Sequence, residues 1–406
     1  MPEKPTKMSN KRFVTIWTVA LALVLALAVT VNILTDVFRG YVDLYLGGGD
    51  IIITQTEGSE DWESDYYTLD YEDKSAVEDA ADALVEELES EGIVLLKNNG
   101  ALPLAAPARV TLLGRGSADP VYGGAGSGSV DLSTVTDLRT GLERAGYEVN
   151  GTVYALLEDF ASYTEQATAL GTERVYDNPR GTITMDTGDS TFYIGEMPVE
   201  NYTADAVASF ADYADAAIVT ISRVGGEGGD LARDMAGYDD NYVSGQHMLE
   251  LNQDEKDAIA LAKEHFDTVI VLINASTTME LGELEADEGV DAILWVGSPG
   301  QTGFYAVGDA LCGNVNPSGR TVDLWAADFT KDPTFVNFGD YQYSNLSSSN
   351  AAGDGYFVQY EEGIYIGYRY YETAAVEGFL DYDQAVVYPF GYGLSYTTFD
   401  WAVTGQ

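Results

Sequence analysis

The chain is 406 residues long and sets 20 Lys and Arg against 66 Asp and Glu, a formal net charge of −46. That balance repels phosphate backbones and no basic stripe offsets it, so a nucleic-acid-binding function is excluded. Cys312 is the single cysteine, which excludes an internal disulfide and leaves stability to the core, for which the chain is amply long.

Phe13 to Thr35 contains no charged residue and, at roughly 1.5 Å per residue, is long enough to cross a hydrocarbon core of about 30 Å. It reads as a membrane span or a long export signal. Lys4, Lys7, Lys11 and Arg12 precede it and Arg39 follows, so the positive-inside rule puts the amino terminus in the cytoplasm and the rest outside. The Ala26–Ala28 run resembles a cleavage site, but Val29 to Leu34 stay apolar beyond it, which suits an uncleaved anchor. The expected location is therefore the cell membrane, single-pass, with an extracytoplasmic C-terminal part.

The stretch up to residue 72 is acidic and without period, a tether. From Ser75 onwards Val77, Ala80, Ala81, Leu84 and Leu88 fall on one helical face, and Gly92 stops the helix before a short apolar strand. Apolar β runs follow at Val110–Gly114, Ala216–Ile221, Thr268–Asn274 and Ala292–Gly297, with helical stretches such as LNQDEKDAIALAKEHF between them. Continuous apolar strands alternating with helices imply an α/β fold, a three-layer sandwich with a mostly parallel sheet. Asp177 to Tyr202 reads as an insertion or long loop. Beyond Asp328, a Ser-rich loop and the tyrosine-dense runs YEEGIYIGYRYYET and YPFGYGLSYTTFDW read as aromatic strands and loops on the sandwich edge. The layout is a cytoplasmic basic tail (1–12), a transmembrane anchor (13–35), an acidic tether (36–72), the α/β sandwich (73–335) and its aromatic-rich extension (336–406), where a following module would start.

One carboxylate stands out. Glu227 lies between glycines in SRVGGEGGD, Ser222 to Asp230, directly after an apolar strand. Loops at the carboxyl ends of strands in open α/β sheets bind ligands, and flanking glycines admit a close approach. Glu227 is a candidate general acid or base, or else a solvated turn glutamate. Asp230, Arg223 and Arg233 surround it in sequence and are candidates to orient it or shift its pKa. The Gly-rich run Gly123–Val130 is no phosphate loop, because it lacks GxGxxG spacing and a following GK[ST]. Tyr122 beside it is either a stacking platform for a sugar ring or a core or rim residue. Lys97 and Arg320 read as structural donors, and His247 and His265 as surface or capping residues. No cluster has metal-ligand spacing and no Ser-His-Asp set stands out, so neither metal nor cofactor is expected.

The blocks EGIVLLKNNGALPL, LLGRGSADPVYGGAGSGSVD, SRVGGEGGDL, GVDAILWVGSPGQTGFYAVGDALCGNVNPSGRTVD and YPFGYGLSYTTF, in this order between Glu91 and Phe399, resemble the C-terminal sandwich domain of glycoside hydrolase family 3, which includes β-glucosidases and β-xylosidases. The resemblance implies an acid/base role for Glu227 in a retaining mechanism, with Tyr122, Gly124, Gly126, Ser127 and Asp230 lining the sugar site. Such a mechanism needs a second carboxylate about 5–5.5 Å away. In the family that nucleophile belongs to a (β/α)8 barrel with an SDW- or TDW-like motif, and Asp61-Trp62 here is preceded by Glu60 in the tether. The resemblance thus implies the barrel-lacking front half of a swapped-order enzyme, cleaving β-linked oligosaccharides or glycosides, most plausibly glucosides, with a barrel partner on the same or another chain. The alternatives are a non-catalytic carbohydrate-binding or assembly module, and a truncated record.

Overall fold

The computed structural model describes residues 9–38, 70–124, 128–168, 171–178, 180, 193–225, 231–337, 341–343, 356–398, 400, 402 and 404–405. The chain divides into two units, Met1–Asp70 and Tyr71–Gln406. In the first, helix α1 (Asn10–Val37) contains a stretch, Asn10–Thr35, long and apolar enough to cross a membrane, a property that signal sequences share. Three of its polar side chains are satisfied within the helix. Thr15, Thr30 and Asn32 each donate to the carbonyl four residues earlier, at 2.9, 2.9 and 3.0 Å, which removes their desolvation cost in an apolar setting.

The second unit begins with helix α2 (Lys74–Gly92) and continues through strand β1 (Val94–Asn98), β2 (Arg109–Leu113), α3 (Leu138–Arg144), β3 (Glu148–Val149), α4 (Gly151–Phe160), β4 (Tyr163–Thr168), β5 (Gly171–Tyr176), α5 (Ala204–Ser209), β6 (Ala216–Arg223), α6 (Gln253–His265), β7 (Val269–Ala275), α7 (Gly282–Ala286), β8 (Ala292–Trp295) and α8 (Phe304–Cys312). Six strands form one sheet in the order β1-β8-β7-β6-β2-β3. All pairs are parallel except β1 with β8. Every residue of β7 is buried, and so is all of β6 except Ser222, as expected of central strands covered on both faces.

The path reverses once. From β2 the chain steps outward through α3 to β3, then returns through α4 and α5 to β6 and continues one way through α6 to β7 and α7 to β8. Right-handed crossovers send the connections before and after such a reversal to opposite faces. The packing agrees, since α8 lies against α2 and α3, whereas α4 packs with α5 and β2, and α6 with β6.

Two sequence expectations change. Helix α2 forms and is capped by Asp73, whose side chain accepts the Ala76 N–H at 2.9 Å, but none of its residues is buried and Leu84 and Leu88 are 52 % and 61 % exposed. It attaches instead through a mixed face, with Val85 half-buried beside Gly300, the Asp82 carbonyl accepting from Thr302 and Glu86 pairing with Arg144. The tyrosine-dense run contains a helix, Tyr368–Val376, rather than a strand, with Tyr371 and Ala374 turned inward. The following run does cover the sheet edge. Leu394 bridges to Leu95, and the Tyr392 and Tyr396 hydroxyls donate to the Leu96 and Ala310 carbonyls, so part of β1's edge is occupied.

Candidate active site

Glu227 and Asp230 lie outside the described residues, as do Gly126 and Ser127. Their flanks are described. Glu227 comes four residues after the end of β6, and the Gly-rich run follows β2, so both leave the carboxyl ends of two adjacent strands. The path reversal makes this pair the switch point of the sheet, where diverging loops leave a crevice for ligands. Gly114, at φ +81°, turns the chain off β2. A Cβ there would stand 2.9 Å from the Thr220 carbonyl oxygen, so only glycine fits both conformation and space.

The crevice has a volume of about 190 Å³, with Tyr122, Gly123 and Gly124 on one side and Val224 on the other. Gly123 is needed for closure of the Gly-rich run on itself, since a Cβ there would lie 2.6 Å from the Gly128 carbonyl oxygen. Tyr122 is 8 % exposed. Its ring meets Phe304 edge-on at 5.6 Å, and its carbonyl accepts the Gly300 N–H at 2.8 Å, so it stands as a wall of the crevice. Asp119 accepts from Arg115 at 3.3 Å, Arg180 at 2.8 Å and Tyr176 at 3.1 Å. Burial opposes both guanidinium charges. With Arg180's repulsion added it lowers the pKa of Arg115, whereas at Arg180 Asp119 and Tyr176 together outweigh burial and hold that group above its ordinary range.

Two side chains fix the rim. Asn274, fully buried at the end of β7, accepts from the Val121 N–H at 2.6 Å and the Ser222 hydroxyl at 2.9 Å, and donates to the Val121 and Gly297 carbonyls at 2.8 and 2.7 Å. One amide thus joins the segments following β2 and β8 to the end of β6. Arg223, the last residue of β6, forms a bidentate pair with Glu255 and donates to the Met248, Glu250 and Ser222 carbonyls. Burial works against its charge, but Glu255, aided by Tyr242 and Glu196, outweighs that and keeps it firmly protonated. The guanidinium is committed to these partners and anchors the last residue of β6. Glu255 also completes a capping box with Asn252 at the start of α6, a pattern legible as N-x-x-E in the sequence.

Glu196 is a further buried carboxyl that sequence reasoning missed. It lies in the span read as a loop and accepts the Arg115 and Met197 N–H groups, each at 2.7 Å. Burial raises its pKa to about 7, aided by repulsion from Glu255 and opposed by those two N–H groups. Lys97 is structural, as expected. Its ammonium donates to the Leu284, Glu285 and Asp287 carbonyls at the end of α7, where the helix dipole favours a cation.

His247 is 2 % exposed, against the expected surface or capping role. It gathers with Glu250 and Glu280, their ligand atoms within 4.8 Å of one another, a grouping that sequence spacing does not show. The hydrogen bonds argue against a metal there. Nδ1 accepts the Leu249 N–H at 3.2 Å, which leaves the proton on Nε2, 3.0 Å from Glu280. A cation would need that lone pair and would put a proton on Nδ1 facing another N–H. Next to this group, Leu231–Arg233 line a larger cleft of about 640 Å³ with His247, Phe335 and Arg369. There the Arg233 guanidinium sits 4.6 Å above the Phe335 ring.

Residues 93–368 match the glycosyl hydrolase family 3 C-terminal domain. The chain is 33 % identical over 323 residues to Beta-glucosidase A of Butyrivibrio fibrisolvens, covering 76 % of this chain and 34 % of that one. It is 30 % identical over 321 residues to Beta-glucosidase of Ruminococcus albus, covering 79 % and 28 % respectively. This chain therefore spans about a third of the length of the curated relatives it matches. Among solved structures it is similar to a beta-glucosidase from Paenibacillus barengoltzii, with TM-score 0.59 and 30 % identity over 80 % of this chain and 30 % of that one. It is also similar to beta-glucosidase 3B from Thermotoga neapolitana in complex with glucose, with TM-score 0.59 and 28 % identity over 80 % and 39 %.

Replacing Asn274 by Leu strands three backbone groups, two at buried Val121 and one at half-buried Gly297, each costing about 1–3 kcal/mol. The urea midpoint should fall by the equivalent of at least about 3 kcal/mol, and a loss under about 1 kcal/mol would contradict the assigned hydrogen bonds. For Glu196, the folded state holds its proton up to about pH 7 whereas the unfolded chain releases it near 4.5. Folding stability is therefore fully present below pH 4.5 and declines as pH rises towards 7. Glu196→Gln keeps the acceptor oxygen and removes that decline. The variant should gain on the order of 3 kcal/mol over the parent above pH 7 and nothing at pH 4, read from urea unfolding at both pH values.

Proposed function

This chain belongs to the glycosyl hydrolase family 3 C-terminal domain family, and on that membership we propose that it forms one side of the active site of a retaining β-glycosidase acting on terminal β-linked glucosides. Glu227 is its acid/base. The observation that carries this reading is topological: the segment bearing Glu227 and the Gly-rich run leave β6 and β2, the strands that flank the reversal of the sheet. Tyr122, Gly124, Gly126, Ser127 and Asp230 line the sugar side. In this reading the two helix groups are the outer layers of a three-layer sandwich, and α1 anchors the chain with its amino terminus in the cytoplasm and the sandwich outside.

The chemistry sets what Glu227 must do. In the first step a carboxylate nucleophile bonds to the anomeric carbon while Glu227 gives its proton to the departing glycosidic oxygen. In the second, the resulting carboxylate of Glu227 takes a proton from water, whose oxygen bonds to the anomeric carbon and frees the nucleophile. The nucleophile comes from a (β/α)8 barrel domain, on the same or another polypeptide. Glu227 has to hold a proton near neutral pH, and two features favour that. Arg223, four residues earlier, has its charge met by Glu255, and the chain as a whole carries a net charge of −46, a negative field that raises a carboxyl's pKa.

When a family 3 barrel domain is supplied, Glu227→Gln should lower turnover of glucosides with poor leaving groups by roughly 10²- to 10⁴-fold. Substrates whose leaving group departs without a proton should lose far less in the glycosylation step. An unchanged rate on the poor leaving groups would remove Glu227 from the mechanism.

A further inference from the structure

The geometry points to a second sugar site on this chain, a cleft of about 420 Å³ between the Asp119–Tyr122 wall and helix α4, which takes a neutral β-linked gluco-oligosaccharide. This inference rests on the family reading for the identity of the sugar and is independent of Glu227. The volume lies within the usual range for small-ligand sites, about 300–1,000 Å³.

The cleft offers the two things a pyranose needs, an aromatic surface for its C–H face and acceptors for its hydroxyl protons. Tyr163 opens the β4–β5 hairpin, and its ring packs edge-on against Tyr176 at 5.5 Å while remaining 38 % exposed at the cleft. Tyr154 forms the floor, 2 % exposed, with its hydroxyl donating to Asp137 at 3.1 Å. Asp137 is held in place because its other oxygen caps α3 through the Thr140 N–H, at 2.7 Å. Glu158, exposed on α4, makes no hydrogen bond among the described residues, so both its oxygens can accept from a pair of neighbouring sugar hydroxyls.

The charge pattern selects among ligands. Asp119 is paired with Arg115 and Arg180, and Asp137 and Glu158 stand in the wall as acceptors, with Arg139 offsetting part of the Glu158 charge, within a chain of net charge −46. Phosphorylated or uronic sugars are repelled by that field. A cationic ligand would compete with Arg139, which already lies 5.1 Å over the Tyr154 ring and pairs with Glu143. A neutral polyol, donating from every hydroxyl, meets the acceptors without either conflict. Asp119 and Tyr122 also wall the β2/β6 crevice, so the two clefts lie back to back across one segment. An oligosaccharide held here raises the local concentration of chain ends at the crevice without taking part in bond cleavage.

The test is titration of the detergent-solubilised full chain with cellotetraose, no barrel being present, followed by ligand-observed NMR. The expected result is saturable binding with a dissociation constant of roughly millimolar order, weakened at least tenfold by Tyr163→Ala and by Glu158→Ala. Glu158 is an exposed helix position that tolerates alanine, so that variant keeps the test valid if the tyrosine variant misfolds. Absence of saturable binding to the unmutated chain, or parent-level affinity in Glu158→Ala, overturns the site. Neither outcome bears on turnover through Glu227, which is read separately.

Discussion

The fold's usable end depends on one buried amide. A sheet whose path reverses between β2 and β6 sends the loops on either side of the reversal apart, and nothing in a parallel ladder holds them together beyond the last strand residue. Asn274 supplies that tie by spending both N–H groups and both lone pairs of its oxygen on Val121, Ser222 and Gly297. Arg223 and Glu255 do the same work one layer away, fixing the end of β6 to the start of α6 and to the 248–250 segment. Each is an arrangement in which buried polar groups are tolerable only because every partner is present. Removing one member leaves the others stranded.

Much of the scaffold was legible because it is written locally. The uninterrupted apolar runs of β6 and β7 are what a strand covered on both faces requires, and the helical period between them leaves few topologies open. Placing Glu227 after a strand followed from the same runs. The parts that escaped are non-local. Asn274 is a single polar residue ending an apolar strand, and nothing in VIVLIN says that loops from three other strands meet it. Glu255 could have been read as a capping residue, but not as the counter-ion of an arginine 32 positions earlier. His247 is buried by a partner 33 positions on.

The span from Asp177 to Tyr202 shows a different limit. Its Gly, Asp and Pro punctuation argues for irregular backbone, which ordinarily runs over the surface. Glu196 and Arg180 are both inward instead, one accepting the Arg115 N–H just beyond β2 and the other paired with Asp119. Irregular backbone near a strand terminus can carry the most buried charges of a domain, because the terminus leaves N–H groups that need acceptors. In the tyrosine-dense run, the Ala and Glu residues after Tyr371 favour a helix, and packing decided against the strand preference of the tyrosines.

The central claim is that the crevice between the segments after β2 and β6 is where a second domain completes a glucoside-cleaving centre. Hydrogen exchange of the full chain, with and without a family 3 barrel domain and a glucose-configured inhibitor, tests it most directly. The account predicts new protection confined to residues 119–130 and 222–233. Protection confined to the opposite, amino-terminal ends of the strands, with these two segments unchanged, would contradict it.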